Sequence, residues 1–289
     1  MNTPAREAPA GTNAALIVRR RLIINADDFG RSNSINRAVI RAHDEGILTT
    51  ASLMVNEAAC QEAVELAHAH PTLGVGLHLA LLCGQAALHP SQIPGLVDRD
   101  GQFSHNPVTV GWRYFWQPKL REQLRAEIHA QFDRFRATGL PLDHVNGHLH
   151  LHLHPAIFGI LMEDRARLGI VHLRLTCDPF CLNLRLVRGR WIYRSTHALM
   201  FGILARRVRP RLLAGNIRHT ARVFGVLQDS HVDEAYVLAL LRSLPLGDSE
   251  LYSHPSLDEF KHELDALVSP RVRALIDQLG IQRIRYQDL

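Results

Sequence analysis

The chain is 289 residues long, 46% hydrophobic, and carries a formal net charge of +5. That is enough apolar material for one large core or two modest ones, and no apolar run reaches the roughly 18 residues that span a bilayer. Four cysteines (Cys60, Cys83, Cys177, Cys181) form no CxxC pair, which excludes a disulfide scaffold and fits reduced, mostly buried thiols in a cytoplasmic setting.

The first 20 residues, rich in Ala, Pro and Thr, lack a continuous apolar stretch and read as a disordered tail rather than a signal peptide. Leu22 to Ala26 is a short apolar strand. A helix follows over Asn33 to Glu45, with Ile35, Val39 and Ala42 on one face and Gly46 as its stop. Thr49 to Val55 is β-prone, Glu57 to His70 helical, and Gly74 to Leu79 a strand. From Leu81 to Trp116 the pattern breaks, punctuated by Pro90, Pro94, Gly95, Gly101 and Pro107. A stretch of that length predicts a functional loop insertion.

A clear helix runs from Lys119 to Thr138, striped by Leu120, Leu124, Ile128, Phe132 and Phe135. Leu142 to Asn146 is a strand, Pro155 opens a helix to Leu168, and Ile170 to Leu175 is another strand. A late strand covers Glu250 to His254. Ser269 and Pro270 start a final helix that Gly280 stops, before a closing strand near Gln282 to Tyr286. This alternation argues for an α/β fold with parallel strands.

The chemistry-bearing residues fall at the C-terminal ends of these strands. Asp27 and Asp28 leave the first; one carboxylate could bind metal while its neighbour stays a free base, or the two could simply cap the next helix. His78 ends a strand, where the bland alternative is a core histidine. Between Asp143 and Pro155 stand His144, His148, His150, His152 and His154. In a strand His148, His150 and His152 would align; in a helix, His148 and His152 would. The alternatives are a polar edge strand or a nickel-storing tract. His254 precedes Pro255, which restrains it to an extended conformation. Imidazole and carboxylate together are the ligand set of a catalytic divalent metal.

The set Asn25-Ala26-Asp27-Asp28-Phe29-Gly30, Gly76-Leu77-His78-Leu79, His148-Leu149-His150 and His254-Pro255 resembles the YdjC-like carbohydrate deacetylases, over nearly the whole chain from Leu22. Within that family it looks most like the hopanoid-biosynthesis-associated deacetylases. The resemblance implies a TIM-like (β/α) barrel of the glycoside hydrolase/deacetylase type, here one domain over residues 21–289 with an insertion near 81–116. It also implies that Asp28, His78 and His148 hold a divalent ion, Mg²⁺ or Zn²⁺. Asp27 would be the general base and His254 the general acid, with His150, His152 and Asn25 contacting substrate or supporting the ligands.

The implied reaction removes the N-acetyl group from an N-acetylated amino sugar, with N-acetylglucosaminyl hopanoid as the expected substrate. Soluble chito-oligosaccharides, phosphate esters or other amides are the enzymatic alternatives, and a His-rich metal-binding protein the non-enzymatic one.

From Pro179 to Gln228 there are ten arginines and no acidic residue. The core of this segment, residues 185–222, reads as a basic amphipathic stretch suited to peripheral contact with the inner face of an anionic membrane, or as a helix with a solvated basic face. No nucleic-acid-binding motif accompanies the charge, so no nucleic-acid partner is expected. A homodimer is left open.

Overall fold

The computed structural model describes residues 19–289. The expected tail therefore lies, up to residue 18, outside the described residues, and Arg20 already opens the first strand. In chain order the elements are β1 (Arg20–Phe29), α1 (Asn33–Asp44), β2 (Thr50–Leu53), α2 (Cys60–Ala69), β3 (Gly74–Leu79), α3 (Pro107–Trp116), α4 (Arg121–Ala137), β4 (Val145–Gly147), α5 (Pro155–Glu163) and α6 (Arg165–Leu168). There follow α7 (Phe180–Leu186), α8 (Trp191–Ala214), β5 (Arg222–Phe224), α9 (Glu234–Ser243), β6 (Gly247–Ser253), α10 (Lys261–Val268), α11 (Pro270–Gln278) and β7 (Gln282–Ile284).

Every strand pair is parallel, in the order β4-β3-β2-β1-β6-β5. β1 is central and buried on both faces, which its run Leu22-Ile23-Ile24 allows. One of its edges pairs with β6; the other takes β7 along Arg21 to Ile23 and β2 from Asn25 onward.

The complete TIM-like barrel expected from the sequence is not formed. The sheet is an open half-barrel whose ends, β4 and β5, share no ladder. Residues 171–177 cross the gap with isolated pairs only, Val145 with Leu173 and His172 with Arg218, and with single bonds such as Arg174 N–H to the Val145 carbonyl at 3.0 Å. The strand expected at Ile170 to Leu175 is thus reduced to a bridging segment. β4 is three residues long because the chain turns sharply after Gly147, and Pro179 lacks a ladder donor, so neither neighbour sustains a longer pairing.

Two other expectations need correction. The 81–116 stretch is not wholly loop: Asn106 caps α3 by accepting from Thr109 N–H, with Pro107 in the first turn. The rest is pinned from beneath by α4. Gln131 brackets the Ala80 peptide, and the buried Glu127 carboxylate accepts from the N–H groups of Ala87 (2.7 Å) and Leu88 (3.0 Å). The cysteines are unpaired as expected, but none is fully buried and Cys181 is exposed.

Gly46 ends α1 for a different reason from the one expected. It has no positive φ; instead a Cβ there would meet the Leu267 carbonyl of α10 at 2.4 Å. Gly76, inside β3, is equally constrained: a Cβ would lie 2.5 Å from the His144 ring and 2.6 Å from its carbonyl. Gly76→Ala is expected to cost about 1–3 kcal/mol, the usual range for overpacking a filled interior. A lowered urea midpoint with unchanged slope checks it; an unchanged midpoint refutes it.

Candidate active site

Five residues singled out from the sequence meet at the C-terminal edge of the sheet. Asp27 and Asp28 lie at the end of β1, His78 near the end of β3, His148 directly after β4 and His254 directly after β6. Asp27, His78, His148 and His254 line one cleft of about 580 Å³.

The two aspartates part ways at a β-bulge. The register of β1 on β2 shifts between Ala26 and Phe29, and Asp28 takes φ +64°, a left-handed conformation strained for a non-glycine residue. Adjacent carboxylates thereby serve different partners. Neither caps α1; Ser32 does, accepting from Ile35 N–H.

Asp28 turns toward the imidazoles. Its Oδ1 lies 3.0 Å from His148 Nδ1 and 3.3 Å from His78 Nε2, while Oδ2 pairs with Arg31 at 2.7 Å. Ligand atoms of Asp28, His78 and His148 all fall within 4.8 Å of one another, and all three residues are buried. The hydrogen bonding of His78 tests whether a cation fits. Asn146 donates its amide NH₂ to Asp27 Oδ1 (3.0 Å) and Ser52 Oγ (2.9 Å), which leaves its Oδ1 to accept from His78 Nδ1 at 2.8 Å. The proton of neutral His78 therefore sits on Nδ1, and the Nε2 lone pair faces a carboxylate oxygen. Two acceptors so placed repel unless a cation lies between them, and an imidazole anchored through its other nitrogen is the usual arrangement of a metal ligand. The donor set fits a divalent ion.

Asp27 turns the other way. Arg174 grips it bidentately, Nη1 to Oδ2 at 2.7 Å and Nη2 to Oδ1 at 3.0 Å. Oδ1 also accepts from Asn25 (2.7 Å) and Asn146. Burial alone would raise the pKa of Asp27, but the Arg174 guanidinium drives it far below the ordinary carboxylate range. Asp27 is ionised at any working pH, and Oδ2, with a single partner among the described residues, keeps an acceptor site.

His254 faces carboxylates. Its Nδ1 lies 3.7 Å from Asp229 Oδ1, and its backbone N–H donates to Glu263 at 2.6 Å. The Tyr252 hydroxyl donates to the same Asp229 oxygen at 3.1 Å. Burial disfavours the charged imidazole, but Asp28, Asp229, Glu263 and Asp27 together outweigh it and raise the pKa of His254.

The remaining histidines of the tract disperse. Leu149 and His150 both take left-handed φ (49° and 57°) in a 3₁₀ turn, so neither the strand nor the helix alignment holds. His150 lines the cleft, with Nε2 3.3 Å from the Tyr252 hydroxyl. His152 is fully buried against the Arg174 carbonyl (2.9 Å), its pKa pushed down to about 3 chiefly by burial, and it does not reach the cleft. Asn25 likewise supports Asp27 and Ser52 from below. His144 stacks on Tyr286, and His154 caps α5.

Arg174, Asn146, Asp229 and Tyr252 escaped the sequence reading. Only Arg174 left a signal, a lone cation in the apolar run Val171-His172-Leu173-Arg174-Leu175. The others gain meaning only from the fold.

A family match now bears on this geometry: residues 21–278 fit the family of YdjC-like proteins. The chain belongs to that family. A carbohydrate deacetylase of Brevibacillus brevis is 42% identical over 143 residues, 50% of this chain and 54% of that protein. A chitooligosaccharide deacetylase of Proteus mirabilis is 38% identical over 148 residues, 49% of this chain and 54% of that protein. The chain thus spans about half the length of these relatives. A carbohydrate deacetylase of Clostridium beijerinckii is 35% identical over 275 residues, 93% of this chain and 100% of that protein. The fold recurs in a crystal structure from Enterococcus faecalis described as a candidate cellobiose-phosphate cleavage protein, with a TM-score of 0.68 and 23% identity over 93% of this chain and 98% of that one.

Because Asn146 sets the tautomer of His78, Asn146→Ala is expected to weaken divalent-metal affinity by about 10–100-fold. Competition with a chromogenic chelator measures it. Unchanged affinity would remove Asn146 from this role.

Proposed function

We propose that this chain is a metal-dependent hydrolase that removes the acetyl group from an N-acetylated amino sugar. The observation that supports the reading is the bulge at Asp27-Asp28, which turns Asp28 toward His78 and His148 and Asp27 toward Arg174, with Asp27 and His254 lining one cleft. The deacetylase names of the relatives support the sugar amide as substrate.

Asp28, His78 and His148 would hold the ion, which when bound supplies Lewis acidity toward the amide carbonyl and its attacking water. Two imidazoles favour zinc over magnesium. Asp27 Oδ2 receives the proton of the water, with Arg174 keeping the carboxylate oriented and ionised. His254 delivers a proton to the departing amine, as its raised pKa equips it to do. Asp229 faces its Nδ1, and Tyr252 fixes Asp229. The products are acetate and a free amino sugar.

The metal-storage reading loses support because, of the five histidines in the tract, only His148 joins the candidate ion site among the described residues. Within the deacetylase class, the apolar side chains along the cleft walls (Val108, Leu149, Met200, Phe201) favour a lipid-linked sugar such as N-acetylglucosaminyl hopanoid. The name of the Proteus relative favours soluble chito-oligosaccharides as the second candidate.

Acetate release from both substrates, with and without EDTA, tests the proposal, and EDTA-insensitive release would remove the metal. Asp27→Asn is expected to lower kcat by about 10²–10⁴-fold while the protein still binds its ion; full turnover would sink Asp27 as base. An ordinary imidazole titrates near pH 6.5. The acid must be protonated, so activity should fall as pH rises through the pKa of His254, which Asp229 beside its Nδ1 helps to raise. Asp229→Asn removes one of the carboxylates that raise it, so the alkaline limb of kcat should move to lower pH.

A further inference from the structure

Two helices that line the cleft carry apolar faces that none of the described residues covers. α3 buries Val110 and Tyr114 and leaves Val108 (78%), Trp112 (69%), Phe115 (51%) and Trp116 (61%) exposed. These stand at i, i+4, i+7 and i+8, a single face. α8 buries Phe201, Ala205, Val208 and Leu212, yet turns Ile192, Leu199 and Ile203, at i, i+7 and i+11, to solvent. The basic amphipathic stretch expected from the sequence forms only in the C-terminal half of α8, where exposed Arg206, Arg207, Arg209 and Arg211 lie opposite buried Ala205, Val208 and Leu212; the N-terminal half is apolar toward solvent as well.

Val108 and Gly111 of α3, Met200 and Phe201 of α8, and the half-exposed Leu149 line the same cleft. Arg206, Arg207, Arg209 and Arg211 follow the apolar stretch of α8, all exposed, and Arg188 and Arg190 precede it. Neither helix carries an acidic residue. Monomeric proteins rarely leave aromatic and aliphatic side chains so concentrated at the surface, and such patches mark a contact.

We propose that α3 and α8 seat the mouth of the cleft on an anionic phospholipid bilayer. Indole rings favour the boundary between headgroups and acyl chains, and guanidinium groups pair bidentately with lipid phosphates. A second copy of the chain fits less well: arginines flank both ends of the α8 apolar face, so pairing it with itself in either direction brings like charges together. Seated this way, the cleft would receive an acetamido sugar carried by a membrane amphiphile. That consequence rests on the deacetylase reading; the binding does not.

The chain offers its own probe. Its three tryptophans, Trp112, Trp116 and Trp191, all lie on α3 or at the first residue of α8, each more than half exposed. Vesicles of equal parts phosphatidylcholine and phosphatidylglycerol, added to the full chain at low salt, should shift the tryptophan emission to shorter wavelength and carry the protein up in flotation. The Arg206→Gln/Arg207→Gln variant should lose roughly thirty-fold in vesicle affinity. Trp112→Ser/Trp116→Ser should lose flotation while keeping wild-type circular dichroism and ion binding. Asp28→Asn should float like the wild type, so failure of the deacetylase chemistry and failure of membrane seating are read separately. Unshifted emission without flotation would overturn the proposal. So would a concentration-dependent dimer that Trp112→Ser/Trp116→Ser abolishes while vesicles stay unbound.

Discussion

The buried charge of Arg174 is the constraint on which the rest of the site depends. Its guanidinium is wholly shielded from water, where an isolated ion would cost several kcal/mol. Compensation comes from two carboxylates: Asp27, held bidentately, and Glu250, which accepts from Nε at 2.9 Å and Nη2 at 2.6 Å. The Tyr252 ring lies 4.9 Å beneath the same group. Removing either acid would leave a buried charge unbalanced, a change that typically costs about 3–5 kcal/mol. Stability and the geometry of the candidate site therefore draw on the same residues. Glu250 is fixed in turn by the Tyr286 hydroxyl, so the last turn of the chain helps to position the candidate base near the other end of the sheet.

A second polar line runs through the interior from Asp27 to Asn146, Ser52, His144 and Asp143. Each of these groups is buried and partnered, the condition under which a polar interior rigidifies a fold rather than weakening it. The line explains why Gly76 has no room for a side chain, since the His144 ring occupies it. It also explains how one carboxamide, Asn146, orients both the candidate base and a candidate ion ligand. The dense histidine tract is thus no chelating ribbon. His148 approaches Asp28 and lines the cleft together with His150, and the others buttress backbone carbonyls, a tyrosine ring and a helix cap.

The cleft joins this polar floor to apolar walls, and the walls are not loose appendages. Glu127 and Gln131 reach out of α4 to hold the long segment that leads into α3, and the Tyr114 hydroxyl of α3 donates to the Leu81 carbonyl at 2.9 Å. Buried polar groups satisfied in this way fix a long connection that composition alone marks as irregular.

Parallel α/β organisation, most strand positions, the α4 stripe and the convergence of Asp27, Asp28, His78, His148 and His254 were legible in the sequence. Strand ends and apolar periodicity are local patterns, and parallel strands bring their C-terminal ends together whatever lies between. The failure to close into a full barrel was not legible. It depends on how few residues β4 and the 171–177 segment can pair, which the turn at Leu149 and His150 decides. Nor was the division of labour between the two aspartates, because the bulge takes its meaning from the register of β1 on β2 and from Arg174, 147 residues away. By itself, then, the sequence determined which side chains gather at the sheet edge. Only the tertiary structure decided which of them face an ion, which face Arg174 and which apolar faces stay uncovered, because each of those outcomes is set by partners distant along the chain.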